Sequence, residues 1–338
     1  MIRDAIERLV ERTNLTTGEA AAVMGEIMKG EATAAQIGSF LTALRMKGES
    51  IQEIAAFAKV MRDHAIVVRP NVSGTLVDTC GTGGDHAFTF NISTAAALVA
   101  AGAGVPIVKH GNRSVSSRCG SADVLEALGV NVGISPHAMC AILERHNIAF
   151  LFAPLYHPAM RHAMGPRKEL GIRTVFNILG PLTNPAGATA QLVGVYSPSL
   201  TEKVARALDL IGVERAMVVY GGGLDEISTA SLTKVTELFD TGIQTYMVRC
   251  EDFGIERTSQ ENLKGGDAST NAQILRNVLA GKGGPARDIV LLNAGAAIYL
   301  GGKAENLAGG VSIAEGSIDS GQAYKTLEAL IKESRDAP

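Results

Sequence analysis

A glycine-rich loop at residues 81–85, Gly-Thr-Gly-Gly-Asp, contains the residue types of a phosphate-binding site. The preceding segment, residues 75–80, is predicted to be a strand, and an alanine-rich helix is predicted from about Ser93, with Asn91 or Ser93 as its N-cap. Glycine lets the backbone approach a ligand closely, and backbone N–H groups at a helix N-terminus bind anions. The spacing matches neither a Walker A motif nor the dinucleotide-binding fingerprint, so this loop alone predicts either a phosphate cradle or a plain tight turn.

A second polar loop follows the next predicted strand, residues 105–108. This second loop runs from Lys109 to Ser117 and contains Asn112, Arg113 and several serines. The two strands and the helix between them form a βαβ unit, so the strands are expected to be neighbours with both loops at their carboxyl ends. Amides on one loop and cationic side chains on the other favour a large, highly charged phosphate ligand.

Two adjacent carboxylates, Asp225 and Glu226, follow a later predicted strand and a run of three glycines. Alone, this pair predicts either a Mg²⁺ site or an ordinary exposed acidic turn. Mg²⁺ binds through carboxylate oxygens, waters and substrate phosphates. Because a polyphosphate site is predicted in the same sheet, metal binding is the favoured interpretation.

Residues 156–171 are rich in His and Arg, and an irregular segment rich in Pro and Asn is predicted at residues 174–185. Loops at a domain interface are candidates for the pocket of a second substrate. A single histidine here is more simply explained as a surface residue or a satisfied core residue. Arg167 is the candidate ligand for a carboxylate, because its planar fork can form two parallel hydrogen bonds.

The composition argues against several classes of protein. The net charge is −3 and there is no run of Lys or Arg, which argues against a broad nucleic-acid-binding surface. Four cysteines without Cys-x-x-Cys spacing argue against a zinc site or disulfide framework and fit the cytoplasm. Neither a signal peptide nor an apolar run of about 18 residues is evident, so no membrane span is expected.

Helices and strands divide the chain into two predicted regions. The first 70 residues are expected to be helical, with capping boxes that begin at Thr16, Thr33 and Ser50. Their apolar residues predict either a self-packed bundle or, as the favoured interpretation, an oligomer surface. After a linker at residues 69–71, strands alternate with helices, including a strand near 130–132 and a hairpin at 236–248. The fold class is therefore α/β, with a small N-terminal helical domain and a larger α/β domain that contains a mostly parallel central sheet.

Seven motifs together resemble the anthranilate phosphoribosyltransferase family, which is one of the nucleoside-phosphorylase-like phosphoribosyltransferases. They are residues 81–85, 90–94, 109–113, 119–123, 165–167, 176–185 and 224–226. The resemblance implies a helical domain at residues 1–70 with a returning segment at about 166–187. It also implies that residues 71–165 and 188–338 form the domain that binds phosphoribosyl pyrophosphate (PRPP), and that two chains pair through their helical domains as a homodimer.

The same resemblance implies a reaction and its ligands: transfer of phosphoribosyl from PRPP to the amine of anthranilate in tryptophan biosynthesis, with Mg²⁺ as cofactor. Lys109 and Arg167 would position and stabilise charge, and no side chain would act as nucleophile or base. The implied PRPP ligands are Gly81, Gly84, Asp85, Thr89, Asn91, Ser93, Thr94, Lys109, His110, Gly111, Asn112, Arg113, Ser114, Val115, Ser116, Ser117 and Ser121. Anthranilate would contact Gly81, Asn112 and Arg167, and Mg²⁺ would be served by Ser93, Asp225 and Glu226.

Two other functions remain possible from the residues. A pyrimidine nucleoside phosphorylase shares this fold, but it generally has Lys-His-Ser-Thr-Gly-Gly at the first loop, where residues 78–84 here read Asp-Thr-Cys-Gly-Thr-Gly-Gly. A non-enzymatic relative that binds nucleic acid should have a basic face and a degraded acceptor site. The net charge and the presence of Arg167 and Asn112 argue against it.

Overall fold

The chain begins with four helices in the computed structural model, which describes residues 1–85, 87–114 and 118–337. These helices are α1 (Ile2–Val10), α2 (Thr17–Lys29), α3 (Ala34–Lys47) and α4 (Ile51–Asp63). The three predicted capping boxes are confirmed: the Thr16, Thr33 and Ser50 side chains each accept the N–H of the residue three positions on. Each helix therefore begins where its sequence satisfies otherwise unpaired backbone donors.

Seven strands form one sheet in the order β3-β2-β1-β4-β5-β6-β7. They are β1 (Val77–Gly81), β2 (Ile107–Gly111), β3 (Ile148–Phe152), β4 (Ala190–Gly194), β5 (Arg215–Tyr220), β6 (Thr233–Phe239) and β7 (Gly242–Val248). The first five strands pair in parallel, whereas β6 and β7 form an antiparallel hairpin at one edge. The predicted mostly parallel sheet and the predicted hairpin are confirmed.

The strand expected near residues 130–132 is wrong. Gly129 ends the preceding helix with a φ of 104°, and the next residues form a turn. Val130 and Val132 are only 3% and 4% exposed, so burial in the core, and not strand pairing, explains the apolar residues there. A buried apolar pair in a short connection has the same composition as a short strand.

Helices cover the sheet and enclose its core. They are α5 (Ile92–Gly102), α6 (Ser121–Leu128), α7 (Pro136–His146), α8 (Ala153–Tyr156), α11 (Leu200–Leu210), α12 (Ala268–Leu279), α13 (Pro285–Leu300), α14 (Leu307–Asp319) and α15 (Gln322–Asp336). Short 3₁₀ turns occur at Pro158–Met160, Cys250–Phe253 and Gln260–Leu263. Helix α5 is buried along nearly its whole length and packs against α13, α14 and α15, which explains its small, alanine-rich side chains.

Two further helices, α9 (Arg161–Leu170) and α10 (Phe176–Leu182), occupy the segment that separates β3 from β4. The irregular structure expected at residues 174–185 is therefore partly wrong, because α10 continues through Pro181. Ala163 and Leu179 are fully buried in the same apolar cluster as residues of α1 to α4. This packing against the N-terminal helices stabilises two helices that each contain a proline.

The part of the chain that the structure describes has no helix long and apolar enough to cross a membrane.

Candidate functional site

The sheet reverses its strand order between β1 and β4, which are parallel neighbours. In open α/β sheets, ligands bind in the crevice at the carboxyl ends of such strands. Gly81 and Gly194 pair at this end, and the acidic loop that follows β5 lies against both. A Cβ atom on Gly194 would lie 1.5 Å from the carbonyl oxygen of Asp225, so only glycine allows this contact. The predicted glycine loop and acid pair therefore meet at the switch point.

Asp225 and Glu226 each accept a backbone N–H from a predicted ligand segment. Gly83 N–H donates to Asp225 Oδ2 over 2.8 Å, and Ser93 N–H donates to Glu226 Oε1 over 3.1 Å. Both acidic side chains are half-buried, so they do not form the exposed acidic turn that was the alternative. The pair thus connects the glycine loop to the N-terminus of α5.

Burial and crowding make this acid pair costly to ionise. Burial, followed by the neighbouring charge of Asp85, raises the pKa of Asp225 to about 7. Burial and the charge of Asp225 raise the pKa of Glu226 as well, while the charge of Lys109 lowers it. Carboxylates held together in this way are stabilised by a cation.

Lys109 is the middle residue of β2 and is 4% exposed. Its Nζ donates to the carbonyl oxygen of Thr79 and, over 3.0 Å, to Ser93 Oγ. A buried positive charge is therefore held between β1, β2 and the start of α5. The predicted positioning residue Lys109 and the predicted metal residue Ser93 are in direct contact.

The second loop lies beside α6. The backbone carbonyl oxygen of Asn112 accepts Ser121 Oγ–H and Ala122 N–H, both over 3.2 Å. The side-chain Oδ1 of Asn112 accepts Arg113 N–H over 2.8 Å. Ser114 N–H donates to Asp123 over 3.0 Å. A Cβ atom on Gly111 would lie 2.3 Å from Ser121 Oγ. These bonds bring Gly111, Asn112 and Ser121 together.

Arg113 is directed to α6 and not to the glycine loop. Its guanidinium pairs with Glu126 over 2.5 Å and Asp123 over 3.2 Å, and its side chain is 50% exposed. The Arg113 guanidinium, which was predicted to bind PRPP, is therefore already paired with two carboxylates of the protein. The predicted ligands Val115, Ser116 and Ser117 lie outside the described residues.

Four other predicted PRPP ligands have partners within the protein or are buried. Asp85 Oδ1 accepts Ala87 N–H over 3.1 Å. The backbone of Thr89 forms an isolated antiparallel β-bridge with that of Lys264. Thr94 is 2% exposed and lines a small apolar space, and His110 is 9% exposed. Thr94 and His110 therefore lie below the surface of the crevice.

The candidate carboxylate ligand Arg167 lies in α9. Its guanidinium carbon is 4.9 Å from the centre of the Phe176 ring, and burial lowers its pKa. Within residues 1–85, 87–114 and 118–337, no acidic side chain forms an ion pair with it. A half-buried cation without an acidic partner suits an anionic ligand.

Two residues that the sequence did not single out contact predicted PRPP ligands. Arg173 donates to the carbonyl oxygen of Gly84 and lies over the Tyr196 ring at 4.5 Å. The His157 ring lies 5.0 Å from that of His110. Arg173 and Gly84 are separated by 89 positions in the sequence, and His157 and His110 by 47. No local spacing could therefore have indicated these contacts.

The helical bundle and the α/β domain together match a two-domain glycosyl transferase family. Residues 3–65 match the family model described as "Glycosyl transferase family, helical bundle domain", and residues 73–324 match "Glycosyl transferase family, a/b domain". The family can be stated more narrowly from individual relatives.

Among the relatives, the anthranilate phosphoribosyltransferase of Methanosphaerula palustris is 59% identical, with 99% of each chain covered. That of Methanocorpusculum labreanum is 55% identical over 98% of this chain and 97% of its own. The chain belongs to the anthranilate phosphoribosyltransferase family.

Solved structures agree with this assignment. The Thermus thermophilus enzyme superposes with a TM-score of 0.93 at 44% identity, covering 98% of this chain and 99% of its own. The Saccharomyces cerevisiae enzyme in complex with PRPP and Mg superposes with a TM-score of 0.91 at 30% identity, covering 99% and 98%. The predicted family and fold class are confirmed.

Proposed function

We propose that this protein transfers the phosphoribosyl group of PRPP to the amine of anthranilate and releases pyrophosphate, a step of tryptophan biosynthesis. The observation that carries the proposal is the meeting of the glycine loop, the buried Lys109 and the Asp225–Glu226 pair at the switch point of the sheet. The named relatives, similar over nearly the whole chain, support the same reaction.

The acidic residues fit a magnesium ion that is shared with the substrate. The described residues contain no group of three or more His, Cys, Asp or Glu side chains that would hold a metal by themselves. Mg²⁺ commonly uses one or two carboxylates and completes its shell with waters and substrate phosphates. Asp225 and Glu226 would hold it, with Ser93 beside them, and when bound it would act as a Lewis acid on the leaving pyrophosphate.

The chain's own residues stabilise charge and orient the reactants. Lys109 adds a fixed positive charge where negative charge develops on the leaving group, and the glycine loop offers backbone N–H donors. Cys80 does not act as a nucleophile, because burial followed by the charge of Asp78 raises the pKa of its thiol well above the usual range. Alignment of the amine with the sugar carbon supplies the rest of the rate enhancement.

The PRPP ligands are proposed to be the residues named from the resemblance: Gly81, Gly84, Asp85, Thr89, Asn91, Ser93, Thr94, residues 109–117 and Ser121. Arg113 can take part only if its guanidinium leaves Asp123 and Glu126. Anthranilate is proposed to contact Gly81, Asn112 and Arg167, with its carboxylate on Arg167. The absence of an acidic partner for Arg167 in the described part of the chain supports this placement.

The assembly and location are also proposals. The domains are proposed to be residues 1–70 with 166–187, and residues 71–165 with 188–338. A groove between α1 and α3 is lined by Ile6, Leu9 and Ala43, and Val10 and Met46 at this groove are 69% and 72% exposed. Such an apolar patch supports pairing of two chains through their helical domains. Cys80, Cys140 and Cys250 are free thiols, which supports a cytoplasmic location.

Loss of anthranilate fluorescence on addition of PRPP and Mg²⁺ tests the proposal. We expect turnover that requires all three components and stops in excess chelator, with the same mixture lacking PRPP as the control. Full activity in chelator, or turnover of uridine with inorganic phosphate in place of anthranilate with PRPP, would contradict it.

A further inference from the structure

Asn91 occupies the N-cap position of α5, but its side chain does not cap that helix. An N-cap asparagine ordinarily accepts the N–H of the second or third helical residue. Here the N–H of the second residue, Ser93, is donated to Glu226 over 3.1 Å. A distant carboxylate therefore takes the capping role and leaves the Asn91 side chain for other partners.

A chain of hydrogen bonds that begins in α12 sets the orientation of the Asn91 amide. Gly266 N–H donates to Asn271 Oδ1 over 2.7 Å, so the Nδ2 of Asn271 must face the other way. That Nδ2 donates to Asn91 Oδ1 over 3.0 Å. The Nδ2 of Asn91 then donates to the carbonyl oxygen of Cys119 over 3.2 Å.

Both ends of this chain are backbone groups whose roles cannot be exchanged. A backbone N–H can only donate and a carbonyl can only accept, so neither amide can be flipped without loss of its bonds. Asn271 is 1% exposed, which gives it no water as an alternative partner. One hydrogen of Asn91 Nδ2 goes to Cys119, and the second can be donated to a ligand oxygen.

We propose that Asn271 is a positioning residue for PRPP: it holds the Asn91 amide so that Nδ2, and not Oδ1, is presented to an oxygen of the pyrophosphate. The inference rests on the proposed function and on Asn91 as a PRPP ligand. Asn271 acts through Asn91 and contacts no substrate itself. A reversed Asn91 amide would place an oxygen against an anionic ligand and weaken its binding.

The substitution Asn271→Asp tests this role with little change of volume. The carboxylate can still accept Gly266 N–H, but it cannot donate to Asn91 Oδ1 and repels it. The Asn91 amide is therefore expected to turn its Nδ2 towards this carboxylate, because a hydrogen bond to a charged group outweighs the bonds to the neutral carbonyl oxygen and thiol of Cys119, over 3.2 and 3.4 Å. The KM for PRPP should rise about tenfold or more, the effect of losing a hydrogen bond to a charged group. The KM for anthranilate should change less than twofold. Asn277→Asp, which adds the same charge on the same helix, should leave both KM values unchanged.

A double-mutant cycle with Asn91→Ala separates this role from a structural one. Once Asn91 is removed, Asn271→Asp should raise the KM for PRPP no further, whereas a general disturbance of α12 would add its own effect. An active wild type with an unchanged PRPP KM in Asn271→Asp, or additive effects in the cycle, would overturn this inference alone. A wild type without turnover would overturn the proposed function and this inference together. If Asn271→Asp does not fold, Asn271→Ala removes the bonds to Gly266 and to Asn91 without added charge. Cys119 alone then holds the Asn91 amide, so the KM for PRPP should rise by a smaller factor while the KM for anthranilate still changes less than twofold.

Discussion

At the scale of single residues, Arg167 is the group most directly tied to the choice of acceptor. The sequence indicated it through the geometry of its side chain, and the structure adds that it is half-buried, stacked on Phe176 and without an acidic partner in the described residues. Its position inside a helix was not predictable, because Gly165 and Pro166 precede it and their types favour a turn.

Replacing Arg167 with alanine should weaken the acceptor and leave the donor nearly unaffected. Loss of a charge-assisted hydrogen bond, worth roughly 1.5–3 kcal/mol, should raise the KM for anthranilate by about one to two orders of magnitude. Steady-state kinetics in which each substrate is varied in turn measures both constants. Arg161→Ala removes an exposed arginine from the same helix and should change neither. A rise in the PRPP KM alone would show that Arg167 binds phosphate and that the acceptor pocket lies elsewhere.

At the scale of elements, the sequence predicted best where periodicity and caps act locally. The capping boxes of α2, α3 and α4 and the strands at the switch point are of this kind. It predicted worst where contacts between residues far apart in the sequence decide the secondary structure. Helix α10 is an example, because it packs against the N-terminal helices and forms despite Pro181. The contact of His157, beyond α8, with His110 at the end of β2 is another long-range feature that no local pattern indicates.

Burial of His110 and His157 should make the protein less stable in mild acid. Burial, followed by the charge of His157, lowers the pKa of His110 to about 3, and burial lowers that of His157 to about 4. An unfolded chain binds protons at both sites near pH 6.5 while the folded chain stays neutral, so stability is full above that pH and falls as the pH drops towards 4. Between pH 7 and pH 5, the free energy of unfolding of His157→Gln should therefore fall by about 2 kcal/mol less than that of the wild type.

Urea unfolding at the two pH values measures this difference. His137→Gln, at an exposed histidine, is the matched control and should leave the pH dependence as in the wild type. An equal loss of stability in acid for His157→Gln and the wild type would mean that His157 is protonated in the folded protein or does not titrate on unfolding.

At the scale of the whole molecule, the two domains meet along a continuous apolar core. One buried apolar cluster contains residues of α1 to α4, α9, α10 and the β4–β5 side of the sheet. The helical region therefore packs against the sheet as well as on itself. The sequence showed that these helices have apolar residues on more than one face, but it could not assign each face. The structure assigns one to the α/β domain and leaves the groove between α1 and α3 uncovered in the single chain.

That groove is where we expect the second chain. Val10 and Met46 are largely exposed there, and burying apolar surface of this kind stabilises association by roughly 25 cal/mol per Å² before the entropic cost of pairing. Two aspartates in the same places would lose their hydration when the groove is covered, so Val10→Asp combined with Met46→Asp should give a monomer. Light scattering after size-exclusion chromatography measures the mass, with Leu210→Asp, at an apolar residue that is 58% exposed on α11, as a control that should remain a dimer. Because none of the proposed ligands lines the groove, the KM for PRPP should be kept in the monomer. A wild type that is already monomeric, or a double variant that remains dimeric, would place the interface elsewhere or remove it.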